Sequence, residues 1–180
     1  PMPKIESTDQ TVVELNRRIE ATWSGEKVTP TAVADELQLF RRLSLVLQGT
    51  IPSLQEIREF QGDRAPRRIE RWTERILSGK RFADYFAQRL SRYLAGTEIG
   101  QFIVFRRDRF NAWLSDGIGK STPYDEMVRG MISRQGLWTG EPETNFVTAA
   151  VSNGNLDVNE LTGRTVRAFL GQRIDCAQCH

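Results

Sequence analysis

The stretch FIVFRRDRFNAWLSDGIG, residues 102–119, decides the fold class, because its first four residues are the best strand candidate in the chain. A short apolar run of this kind cannot be told from buried helix by periodicity alone. The residues after it are informative: Phe110, Trp113 and Leu114 recur at helical spacing directly beyond the run. The run therefore reads as the lead-in to a helix, and no other segment asks for a strand. The expected fold is all-α, an irregular multi-helix bundle.

Working outward, the same period recurs on both sides. Val12, Leu15, Ile19 and Trp23 make one stripe from Thr8 to Trp23, ended by SGE. TPTAVADEL then restarts a helix, with Thr and Pro in initiating positions. Leu37, Leu39, Phe40, Leu43, Leu45, Val46 and Leu47 are apolar nearly all round, which predicts a central helix with Arg41 and Arg42 reaching past the apolar layer. Gly49 and Pro52 bracket a turn, and Ser53 is placed to cap SLQEIREF, a helix ending near Gly62. From Pro66 to Leu77, Ile69, Trp72 and Ile76 mark the buried side of a charged helix. Phe82, Phe86, Leu90, Tyr93 and Leu94 form a further stripe before Gly96. Beyond 119, Tyr124–Ser133 reads as a helix, GLWTGEPE as loop, and Thr144–Val151 as a short helical piece ended by SNGN. Asp157 and Glu160 have capping-box spacing for a last helix that Gly171 is suited to end. The organisation expected is an amphipathic lead-in over 1–35 and a helical domain over 36–180.

Composition excludes several classes of function. With 25 Lys and Arg against 23 Asp and Glu, the net charge of +2 is too small to argue for nucleic acid. Arg67, Arg71 and Arg75 recur every fourth residue, but Glu70 and Glu74 interleave with them as in a solvated helix. No apolar run approaches the length of a membrane span. The start, PMPKIESTDQ, lacks a signal-peptide core, so export would require a leader removed from this sequence. Neither a G-x-x-x-x-G-K-[ST] nor a G-x-G-x-x-G pattern is present. One histidine, His180, is too little for a Ser/His/Asp or Cys/His arrangement. The acidic pair Asp125–Glu126 is explained by solvation at helical positions.

The chemistry is concentrated in RIDCAQCH, residues 173–180, where both cysteines of the chain stand before its single histidine. C-x-x-C-H is the attachment sequence of c-type haem. Two thiols at this spacing can add across the two porphyrin vinyl groups, and the next residue then reaches the iron with a neutral imidazole. The assignments are Cys176 and Cys179 as thioethers and His180 as proximal ligand. Rival readings fit less well. A thioredoxin-like C-x-x-C wants a βαβ setting at a helix N-terminus, whereas this motif comes after a helix C-terminus. Structural zinc wants four ligands, and the chain supplies three close together, leaving a carboxylate or a partner to complete the set. For the distal position, Met127 and Met131 are the thioether candidates, one helical turn apart, with core filling as their plainer use. Tyr124, Lys120, water, an open position or a partner residue are the other options.

NELTGRTVRAFLGQRIDCAQCH, taken with FRRLSLVLQGTIPSLQEIREF at 40–60, FNAWL at 110–114 and PYDEMVRGMI at 123–132, resembles a family of planctomycete-type cytochrome-c-like domains of unknown function. The resemblance covers roughly residues 36–180. It implies an exported, mostly helical domain holding one haem c, often within a larger extracytoplasmic protein, and it supports Cys176, Cys179 and His180 as the attachment set. It offers no match for a distal ligand. Chains of that family continue past the motif with acidic, histidine and helical sequence, so this sequence is expected to be the N-terminal part of a longer protein.

The expectation is an extracytoplasmic, periplasm-type c-type cytochrome domain that carries one electron within a larger redox assembly. Its partner would be a redox protein or a membrane-associated complex, with neither nucleic acid nor a membrane span of its own. Such a chain is an electron carrier or complex subunit rather than a catalyst. The alternative is a helical scaffold or interaction subunit with the haem absent or only structural. Trp23, Trp72, Trp113 and Trp138 would be its anchors, although buried core is the commoner use of tryptophan.

Overall fold

The computed structural model describes residues 8–97, 103–174 and 176. They contain nine α-helices: α1 (Thr8–Gly25), α2 (Glu36–Gln48), α3 (Leu54–Gly62), α4 (Arg68–Leu77), α5 (Lys80–Ala95), α6 (Arg107–Gly119), α7 (Tyr124–Ser133), α8 (Asn145–Thr148) and α9 (Val158–Leu170). A 3-10 turn at Pro142–Thr144 leads into α8, and two short strands, β1 (Val151–Ser152) and β2 (Asn155–Leu156), precede α9. The fold is all-α. Ile103 and Val104 form a turn before α6, so the described part of the apolar run, 103–105, is a helix lead-in.

The chain divides into two compact units, residues 1–35 and 36–180. The first is α1 and the segment after it. Glu14 accepts hydrogen bonds from Arg17 and Arg18 at 2.8 and 2.7 Å, and these arginines hold its carboxyl down to about 2. The stripe Val12, Leu15, Ile19 and Trp23 is exposed. The helix expected at TPTAVADEL starts only at Glu36. Pro30 disfavours helical geometry in the residue before it, and β-branched Thr31 and Val33 lose rotamer freedom in a helix.

The second unit is built on two apolar clusters. The smaller joins α2, α3 and α4: Phe40 stacks on Phe60 with ring centroids 4.5 Å apart, and Trp72 meets both rings edge-on at 5.1 and 5.6 Å. Ser53 begins α3 with a complete capping box, its hydroxyl accepting from Glu56 N–H while the Glu56 carboxylate accepts from Ser53 N–H. Asp63 then fastens the α3–α4 corner. Its carboxylate accepts from Arg71 at 2.6 Å, Trp72 Nε1 at 3.1 Å and Ala65 N–H at 3.0 Å. The arginines of α4 are thus not merely solvated: Arg71 pairs with Asp63, Arg75 with Glu59 at 3.0 Å, and Arg68 with Glu36.

α2 differs from its expectation. Only Phe40 and Ser44 are buried, Leu43 and Leu47 pack on the small cluster, and Val46 is 65% exposed. The helix is one-sided, because α3, α4 and α5 cover only part of its circumference.

The larger cluster holds Leu94, Phe105, Phe110, Leu114, Met127, Met131, Phe146 and Ala168. Its axis is the α5–α6 pair, the most extensive helix contact in the unit. The fully buried face of α5 is the small-residue line Ala83, Ala87, Ser91 and Ala95 together with Leu94, whereas Phe82, Phe86 and Leu90 are only half-buried and Tyr93 is exposed. Small residues four apart let two helix backbones approach closely, and the larger side chains are displaced to the flank. Ser115 adds a polar tie by donating to Asp84 at 2.6 Å.

The segment after α7 also departs from expectation. SNGN does more than end a helix: Asn153 and Gly154 both have positive φ, 51° and 79°, and turn a hairpin that pairs Val151 with Leu156. Asn-Gly is the sequence suited to such a two-residue turn. Asn145, fully buried, accepts from Arg106 N–H at 2.7 Å and so satisfies the first turn of α6 from 39 residues away in sequence.

Candidate functional site

Among the described residues, α9 is the last helix before the chain's terminal motif. Asp157 caps it by accepting from Glu160 N–H at 2.9 Å. The reciprocal half of the capping box is not made, because the Glu160 carboxylate accepts from Arg164 instead, at 2.8 Å. Gly171 ends the helix in the left-handed conformation, φ 65° and ψ 19°, with its N–H bonded to the Val166 carbonyl. The backbone then leaves the helix, and Cys176 is exposed. Cys179 and His180 lie outside the described residues. Among the described residues, no group of three His, Cys, Asp or Glu side chains is placed to hold a metal ion.

The last turn of α9 is anchored to α5. The Tyr93 hydroxyl donates to the Arg167 carbonyl at 2.9 Å and lies 3.5 Å from that of Ala168. Tyr93 also lines an open groove of about 600 Å³, with Phe86, Arg89, Leu90 and Arg92 from α5 and Ile118 from α6. The displaced large side chains of α5 therefore form the groove wall. Tyr124, at the start of α7, has its hydroxyl pushed up by burial and by the neighbouring Tyr93.

Arg92 of the groove also acts on an arginine of another helix, a coupling that sequence spacing does not announce. Arg164 of α9 is 6% exposed, and only its Nη2 is bonded; Nε and Nη1 have no acceptor. Arg107, the first residue of α6, donates to Ser91 Oγ at 3.2 Å and stacks over Phe105. Burial lowers the Arg107 guanidinium from its ordinary value, and the fields of Arg164 and Arg92 lower it further. Arg107 thus feels arginines of two other helices, Arg164 of α9 and Arg92 of α5. The available signal was the position of Arg164 between Leu161 and Ala168 on the apolar face of α9, where a charge is costly without a partner.

The remaining candidates are placed plainly. Met127 and Met131 are 5% and 1% exposed inside the larger cluster, and Met127 lies against Gly117 of α6. Lys120 ends α6 and faces Asp116 at 3.7 Å. Trp72 is buried, Trp113 packs against the larger core, and Trp138 donates to the Ile103 carbonyl at 2.7 Å. Trp23 is 39% exposed.

The helical fold, ending in a capped helix and a cysteine-bearing tail, defines an all-α domain of the second unit's size. Residues 14–180 match the family PSCyt2, described as a protein of unknown function (DUF1549), and the chain belongs to that family. No curated protein matches it. No solved structure matches it. Among the described residues, no helix is long and apolar enough to cross a membrane.

Proposed function

We propose that this chain is an extracytoplasmic c-type cytochrome domain, carrying one haem c and serving electron transfer within a larger redox assembly. The observation that carries the reading is C-x-x-C-H itself, Cys176, Cys179 and His180, on a tail that leaves a firmly ended helix with Cys176 exposed. An accessible thiol is what thioether formation with a porphyrin vinyl group requires. The chemistry of the donor set fits as well: two thiols and an imidazole supply both covalent attachment and a proximal ligand. Cys176 and Cys179 would hold the porphyrin, and His180 would hold the iron.

When bound, a haem supplies reversible one-electron chemistry, and the protein contributes orientation, burial and electrostatics. The groove supports this role, because Phe86, Leu90, Tyr93 and Ile118 offer an apolar wall on the helix that anchors α9. Met127 or Met131 would have to leave the core to become a distal ligand, and their packing opposes that movement.

The test is an absorption spectrum of protein made with an export signal and haem-maturation machinery. A Soret band that survives acid–acetone extraction supports the reading. A folded, colourless protein under those conditions overturns it.

A second reading, a helical interaction subunit, is favoured by one observation. Leu45, Val46, Ile51 and Leu54, on α2 and the turn into α3, are all exposed apolar side chains. Clustered apolar exposure marks interaction surfaces in soluble proteins. A colourless protein recovered in a defined complex would select this reading.

A further inference from the structure

α5 buries its small-residue line and leaves a row of large side chains facing outward. Phe86, Leu90 and Tyr93 stand at i, i+4 and i+7, so they fall on one line along about 10 Å of helix. The buried line Ala83, Ala87, Ser91 and Leu94 turns to the core on one side of that row. Arg89 and Arg92 flank the row on its other side, one turn apart. With Ile118 of α6 these residues line the open groove of about 600 Å³, where Phe86 and Leu90 are half-buried and Tyr93 is 51% exposed. Apolar side chains gathered in one concave place, and not scattered singly, mark a binding surface.

Charge names the occupant. Arg89 and Arg92 form no ion pair among the described residues; Arg89 donates to the Tyr85 hydroxyl at 3.1 Å and lies over its ring. The arginines of α4 differ, since Arg68, Arg71 and Arg75 each face a carboxylate. No acidic residue is among the described residues that line the groove. A guanidinium can donate two parallel hydrogen bonds to one carboxylate, so this edge of the groove is suited to acidic side chains. The complement of the whole surface is an amphipathic helix, apolar at i, i+4 and i+7 and carrying Glu or Asp beside that stripe. An open groove favours a helix over a small molecule, because small-molecule sites bury about 70–90% of their ligand.

An electron carrier in an assembly and an interaction subunit both need a partner protein. Resting on that shared requirement alone, we propose that the α5 groove seats an acidic amphipathic helix of another protein. Phe86, Leu90, Tyr93 and Ile118 take its apolar side, and Arg89 and Arg92 take its carboxylates. Tyr93 also holds the last turn of α9 through the Arg167 carbonyl, so the partner docks beside the start of the tail that bears Cys176.

The experiment pans the full 180-residue chain, prepared without haem, against displayed helices of about five turns. Their leucine stripe is fixed, and the positions flanking it vary among Glu, Gln and Lys. The native chain should select Glu beside the stripe, and a chain carrying Arg89→Glu and Arg92→Glu together should select Lys. As a soluble peptide, the selected Glu-flanked helix should bind the native chain about tenfold more tightly than the doubly substituted one, the equivalent of two exposed ion pairs. It should shift the methyl signals of Leu90 and Ile118 and leave those of Leu45 and Leu54 in place. Both arginines are exposed, so the double variant keeps the fold, which its melting temperature verifies. Selection without charge preference, a preference that the double substitution does not change, shifts confined to Leu45 and Leu54, or no selected helix at all overturns the seat. Haem attachment is read separately from the Soret band of matured protein. Loss of docking therefore leaves the cytochrome reading standing, and a colourless chain that still selects Glu-flanked helices leaves the seat standing.

Discussion

The Tyr93 hydroxyl donates to the backbone carbonyl of Arg167 at 2.9 Å, joining two residues 74 positions apart in the chain. This bond ties α5 to the last turn of α9, where carbonyls have no partner within the helix. The C-terminal tail therefore departs from a fixed point beside the groove. A Tyr93→Phe variant should lose about 0.5–1 kcal/mol, the net worth of one partly solvated hydrogen bond. Amide exchange should rise in the last turn of α9 and not in α2–α4. Uniformly faster exchange across the unit would show that Tyr93 supports the core rather than the tail.

Arg164 is a buried cation with an incomplete set of partners. Its two unbonded nitrogens are a cost, so Arg164→Met should be neutral or stabilising by about 1 kcal/mol. Thermal melts of the native and substituted proteins decide the matter. A loss of several kcal/mol would mean that the Arg164–Glu160 pair outweighs the burial cost.

Gly49 closes α2 at φ 69°, and an added Cβ there would fall within the Tyr85 ring. Gly49→Ala should cost about 2 kcal/mol, roughly half from the left-handed backbone and half from displacing the ring. Gly117→Ala should cost less, since the nearest atom is the flexible end of Met127. Denaturant midpoints of the two variants test the order.

Asp63 gives the α3–α4 corner its pH dependence. Its carboxyl is held below the ordinary value first by Ala65 N–H and then by Arg71, with Trp72 assisting. A carboxyl lowered in the folded state stabilises fully above its unfolded value, near pH 4, and that stability is lost as pH falls through the folded value. The gap in melting temperature between native protein and Asp63→Asn should be largest from about pH 5 to 7 and shrink on acidification below about 4. A gap that is constant with pH would place the role of Asp63 in hydrogen-bond geometry alone.

Much of this architecture could be read from residue spacing, and its failures have definite causes. The helical period at Phe110, Trp113 and Leu114 identified α6, and Ser53 and Gly171 marked helix ends that the structure keeps. Apolar content misled for α2, since Leu45 and Val46 are exposed in a helix covered on one side only. Side-chain size misled for α5, where alanines and a serine are buried and Phe86 and Tyr93 line a groove. The hairpin at Asn153–Gly154 was available in the dipeptide but lay beneath the pattern of the preceding helix. The coupling of Arg107 to Arg92 and Arg164 was not legible, because the three come from different helices. The motif was visible in full, while the groove beside its tether depends on how α5 rotates against α6.

The most direct test of the haem reading is the mass of the C-terminal peptide bearing Cys176 and Cys179, cut from protein matured in an extracytoplasmic, haem-loading host. One haem should be added to that peptide and none elsewhere, with the addition lost when both cysteines are replaced by alanine. A peptide of unmodified mass, from folded protein made alongside a control cytochrome that matures normally, would contradict the reading.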